Sequence, residues 1–209
     1  PAAPYGVATD VDAVASAYES ALVSTEAHGG PALIVLDAGD PERAANFRSE
    51  ASPEAAAHHR LRAAAKVDTI VSLARESLPD DAVLVVMSTG QVKPSAGPSG
   101  YGPIVMSGAG VEPGMLASSS THRAGLVTDL DVSATVLSLL GIERPLGILG
   151  NAATVETSGD DFAGRVAYLQ QLNDTAVAVD TVRPAVQSTY IAITVLVLAV
   201  RLTRSSWSP

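Results

Sequence analysis

Five side chains have the chemistry to hold a cation or move a proton: Asp37 and Asp40 in "DAGD", Ser88 and Thr89 in "MSTG", and His122 in "STHRAG". Carboxylate and hydroxyl oxygens suit a hard or borderline metal, and an imidazole adds a zinc ligand or a proton carrier. Each has a plainer reading beside it. Aspartates favour turns because they hydrogen-bond the local backbone, Ser-Thr-Gly is an ordinary way to leave a strand, and His122 next to Arg123 suits a surface. His58 and His59 are adjacent, so on a helix they point about 100° apart and do not easily share one ion. Asp129 and Asp131 crowd the same stretch as His122, "STHRAGLVTDLDVSATVLSLLGIERP". They stand where a helix begins, and capping and the positive end of the helix dipole explain them first. No GxSxG, Walker, GxGxxG, HExxH or HxH pattern occurs, and "GAGVEPG" has the wrong spacing for a phosphate cradle.

The elements that would carry these groups follow from periodicity. Asp10 or Asp12 can cap a helix over "VDAVASAYESALVSTEA", which Gly29-Gly30 ends. "PALIVLDAGD" is a short apolar run closing on Asp37 and reads as a buried strand. "PERAANFRSEASPEAAAHHRL" is irregular and leads into a helix near residues 55–77; "AVLVVMSTG" is a second buried strand and "PIVMSGAG" a third apolar run. A short strand or hairpin is expected to include residues 125–127, followed by a helix over 132–140 capped by Asp131 or Thr128 and stopped at Gly141. "PLGILGNAATVETSGDD" reads as loop, and helical spacing resumes at "FAGRVAYLQQLNDTAVAVDTVRPAV". Helices alternating with fully apolar strands predict an α/β fold, a mostly parallel sheet sandwiched by helices. In such a sheet the site lies beyond the carboxyl ends of the strands, where Asp37, Asp40, Ser88, Thr89 and His122 could converge.

Composition narrows the partners. The 209 residues are 47% hydrophobic with a net charge of −9, enough for one domain with a core of small and branched aliphatics and adverse to nucleic acid. There is no cysteine, hence no disulfide framework or thiolate metal site. The opening "PAAPYG" has no signal-peptide pattern and reads as a mature end or an excised piece. At the other end, residues 190–200 carry no charge, and Arg201, Arg204 and Trp207 follow. Counted over 184–202 the run approaches the ~20 residues of a transmembrane helix, and its flanks resemble positive-inside and interfacial anchors. The expectation is an extracytoplasmic domain at 1–183, a transmembrane helix at 184–202 and a cytoplasmic tail at 203–209. The alternative is a soluble α/β protein whose tail is a buried strand or helix.

The order of pieces from "ALIVLDAGD" through "VDTIVSLARESLPDDAVLVVMS" to "PIVMSGAGVEPGMLASSSTHRAGLVTDLDVSATVLSLLGI" resembles the carboxyl-terminal half of the alkaline phosphatase/sulfatase/phosphodiesterase superfamily. It looks most like the form found in uncharacterised actinobacterial membrane proteins. The resemblance spans 32–142. Where that superfamily has Asp-His after a strand, this chain has Ser88-Thr89 before Gly90. That change implies the loss of ligands from a two-metal site. The implied function is a degenerate, non-catalytic extracytoplasmic domain without cofactor, binding an envelope ligand or another protein. The alternative is a phosphate- or sulfate-ester hydrolase or transferase using zinc or manganese, with Asp37, Asp40 and His122 as ligands and its nucleophile upstream.

Overall fold

The computed structural model describes residues 3–88 and 100–205, and among them the chain is predominantly helical. Among the described residues there are five α-helices, α1 (Val11–His28), α2 (Asp40–Asn46), α3 (Pro53–Glu76), α4 (Asp129–Leu139) and α5 (Phe162–Ser205), and two short 3-10 turns, Pro4–Gly6 and Phe47–Glu50. Four short strands are β1 (Val83–Met87), β2 (Ile104–Gly108), β3 (Met115–Ala117) and β4 (Thr154–Glu156). The chain divides into two compact units, residues 1–92 with 102–166 and residues 93–101 with 167–209.

Local chemistry sets the helix ends. The Asp10 carboxylate accepts from the backbone N–H of Asp12 and Ala13 at 3.1 Å each, satisfying donors that α1 leaves open. Gly29 ends the helix in the left-handed region at φ 65°, which costs glycine least. Ser52 caps α3, with Pro53 in its first turn, where a missing N–H costs nothing. On α3 the buried residues Ala56, His59, Ala63, Ile70 and Ala74 recur along one face. That face packs against α1 and α2. Three of the five are alanines, small enough for close helix approach, so this core is made of alanine and few aromatics. Tyr18 is the large exception: buried on α1, it donates its hydroxyl to the Ala74 carbonyl at 3.3 Å.

The strands overturn the parallel sheet that the apolar runs predict. β1 pairs with β2 antiparallel, Val83 opposite Gly108 and Met87 opposite Ile104. β3 pairs with β4, also antiparallel, Met115 opposite Glu156. The fold is therefore helix-rich with two two-stranded sheets, not α/β with helices on both faces of a parallel sheet. The apolar runs are consistent with either arrangement; partner choice depends on contacts 17 to 41 residues away that a run's composition does not encode. β3 finds its partner inside "NAATVETSG", which reads as loop, and residues 125–127 form no strand. "ALIVL" has no regular secondary structure and belongs to neither sheet.

Candidate functional site

Among the described residues, Asp37, Asp40 and His122 form no group that could hold a metal ion. Asp37 is exposed and accepts the Gly39 N–H at 2.9 Å, an Asx-type turn. Asp40 begins α2 and is buried. Arg43 Nη2 donates to its Oδ1 at 2.7 Å and Lys66 Nζ lies 3.0 Å from its Oδ2, while the Thr9 N–H reaches both oxygens at 3.2 Å. Burial pushes the Asp40 carboxyl up, but these donors outweigh it and hold the group below the ordinary carboxylate range. Lys66 also donates to the Thr9 carbonyl at 2.9 Å, and the Thr9 hydroxyl donates to the Ala38 carbonyl. Asp40 thus ties the entry of α1 to α2 and α3, with its oxygens taken up by cations of the chain itself.

His122 is exposed on the loop after β3, with φ 52° and its N–H donated to the Ser118 carbonyl at 3.0 Å. Ser88 follows β1 and donates its N–H to the Pro103 carbonyl at 3.0 Å; Thr89 lies outside the described residues. Among the described residues no group of three or more His, Asp or Glu side chains could hold a metal ion.

Asp131 is the strongest electrostatic centre. It is fully buried, and Ser120 Oγ donates to its Oδ1 at 2.6 Å. The Asn151 N–H donates to the same oxygen at 2.8 Å, and the Thr128 N–H to Oδ2 at 2.8 Å. The Asp131 N–H returns a bond to Thr128 Oγ1 at 3.3 Å, completing a capping box. Burial raises the carboxyl, and this set of donors more than reverses it, holding Asp131 far below the usual range. Beside it Thr135 Oγ1 donates to the Asp131 carbonyl at 2.6 Å and accepts from the Ala153 N–H at 2.8 Å. The network joins the His122 loop, the start of α4 and the segment entering β4. Its oxygens face protein donors, which makes it a brace and not a reacting group. Capping was readable from "TDLD"; Ser120 and Asn151 were not, since nothing local marks them as partners.

Two small cavities accompany these networks. One of about 10 Å³ is lined by Val85, Ile104, Val132 and Asp131, and one of about 20 Å³ by Asp40, His59, Arg62 and Lys66. Each has room for about one water, whereas small-molecule sites run to several hundred Å³.

The feature that departs most from a soluble domain is α5. Its 44 residues make one continuous helix through Pro184, long and apolar enough to cross a membrane. None of that apolar window is buried in the protein. Tyr190 is 72% exposed and Leu196 64%, with Ile191, Ile193, Val195, Val197 and Leu198 all exposed between and around them. A helix apolar on every side is covered by protein or by lipid. The hydroxyls in this half are satisfied within the helix: Ser188 donates to the Pro184 carbonyl at 2.8 Å, Thr189 to Ala185 at 2.9 Å and Thr194 to Tyr190 at 2.9 Å. Internal satisfaction of polar groups is what hydrocarbon demands.

Comparison with protein-family models, curated proteins and solved structures returns no match. The resemblance to the alkaline phosphatase/sulfatase superfamily is corrected accordingly. No family model supports it, and the parallel sheet that would align a two-metal site is replaced by two small antiparallel pairs. Both functions it implied, a degenerate phosphatase-like domain and an ester hydrolase or transferase, fall with it. The motif that matched best, "LVTDLDVSATVLSLLGI", is a capped amphipathic helix and its stop, a pattern that unrelated proteins share.

Proposed function

We propose that this chain is a membrane-anchored protein, with residues 184–202 crossing the bilayer, residues 1–183 on the extracytoplasmic side and 203–209 forming a cytoplasmic tail. The observation that carries the reading is the uncovered apolar half of α5. Residues 184–202 rise about 28 Å along a helix, close to the ~30 Å hydrocarbon thickness. The whole of α5 would rise about 66 Å, so its first half belongs outside the lipid. Sequence agrees: residues 162–183 hold Arg165, Asp174, Asp180 and Arg183, with Arg183 Nη1 3.8 Å from Asp180 Oδ1 just before the apolar half begins. Arg201 and Arg204 follow the span, and positive charge next to a span favours the cytoplasmic face. The extramembrane part presents itself to a partner at the membrane, a protein or a component of the envelope.

Absence of native cysteine makes orientation directly measurable. In intact cells a membrane-impermeant maleimide is expected to label Ser24→Cys on α1, and Ser208→Cys only after permeabilisation. Labelling of Ser208→Cys alone in intact cells would reverse the orientation, and labelling of both would remove the span.

A further inference from the structure

Pro184 stands near the middle of the 44 residues of α5. Proline has no N–H to donate, and its ring presses on the carbonyl four residues back, which costs about 3 kcal/mol or more in a helix interior. The turn after it is softened as well. Ser188 Oγ donates to the Pro184 carbonyl at 2.8 Å and Thr189 Oγ1 to the Ala185 carbonyl at 2.9 Å, so both carbonyls take a side-chain hydroxyl beside the helix's own bonds. Such back-bonding weakens a helix slightly and bends it. Tertiary packing does not stiffen this stretch: residues 181–198 are all exposed. Upstream the helix is held, with Leu172 buried and Asn173 Oδ1 accepting the Tyr101 N–H at 2.9 Å. Arg183 and Asp180 lie 3.8 Å apart beside the proline, but an exposed pair contributes at most about 1 kcal/mol, too little to fix one angle.

We propose that Pro184 is a hinge at the membrane surface, about which the two halves of α5 reorient against each other. Its place at the surface rests on the anchor reading, which begins the span at residue 184; its softness comes from the proline and the two hydroxyls. A proline inside a packed bundle is held at one bend, because neighbouring helices and ordered waters satisfy the backbone groups it frees. Residues 181–198 have no such cover among the described residues. Lipid orients the apolar half and water leaves the polar half free to swing, so the weak turn lies where the two constraints change over. Hinges of this kind take up their motion in the torsions of a few residues. The extramembrane part can then meet a partner over a range of angles while the span keeps its tilt.

Residual dipolar couplings from the isotope-labelled full chain, aligned in bicelles, read the hinge. Couplings of residues 167–183 and of residues 185–198 are expected to need two alignment tensors, with lower order in the upstream half. Pro184→Ala is expected to remove that difference, so that one tensor fits both halves. Pro184 is exposed, and the substitution therefore takes away no buried packing. One tensor for both halves of the wild type, or a difference that Pro184→Ala leaves intact, would overturn the proposal. A lipid-soluble paramagnetic probe reads the anchor in the same sample, since residues 190–198 must broaden if they lie in hydrocarbon. A single tensor with that broadening present removes the hinge and keeps the anchor. Absence of broadening removes the anchor, and with it the hinge's place at a membrane surface.

Discussion

At the scale of single residues, the buried carboxylate of Asp131 braces three segments of the chain. Asp131 accepts from Ser120, Asn151 and Thr128 and presents no oxygen to a substrate. Its carboxyl is held low, so the stabilisation it supplies is fully present above the ordinary carboxylate pKa, about 4, and is lost as pH falls below that value toward the folded-state one. Asp131→Asn turns an acceptor into an amide donor that cannot satisfy both sides, and is expected to cost about 3 kcal/mol. Denaturant unfolding between pH 3 and pH 7 checks this: the wild-type advantage should shrink on acidification, and a constant gap would contradict the assignment. Residue types suggested chemistry because the same Asp, Ser and His serve turns, caps and metal sites alike. What decides among those uses is which donors lie nearby in space, and for Asp131 two of them lie 11 and 20 residues away.

At the scale of elements, legibility follows the range of the interactions. Helices α1, α3 and α4 were readable because their caps, Asp10, Ser52 and Thr128, act within three residues. α2 was missed: "DPERAAN" is only two turns long and is held by the Asp40 contacts with Thr9 and Lys66. The β1–β2 and β3–β4 pairings were not legible, since each strand's apolar pattern suits parallel and antiparallel neighbours equally. In α5 the polar first half and apolar second half meet at Pro184, and the account assigns them to water and lipid. Ile193→Arg, near the middle of the apolar half, should oppose insertion by about 3 kcal/mol or more. Val179→Arg, in the first half, should leave insertion unchanged. A membrane-insertion assay compares the two; equal sensitivity would show that the boundary is misplaced.

At the scale of the whole molecule, the expected α/β class gives way to a helix-rich chain with two antiparallel strand pairs among the described residues, and its last helix is long and apolar enough to cross a membrane. Apolar strands alternating with helices suggest a covered parallel sheet; the structure instead buries an alanine-rich helix face, and among the described residues "ALIVL" joins neither sheet. That a long apolar helix closes the chain is legible because its signal is length and absence of charge, which need no tertiary partner to decode. The most direct test of the account is extraction of membranes carrying the full chain with alkaline carbonate. An α5 that crosses the bilayer keeps the protein in the pellet until detergent is added, with or without high salt. Release into the carbonate supernatant would contradict it.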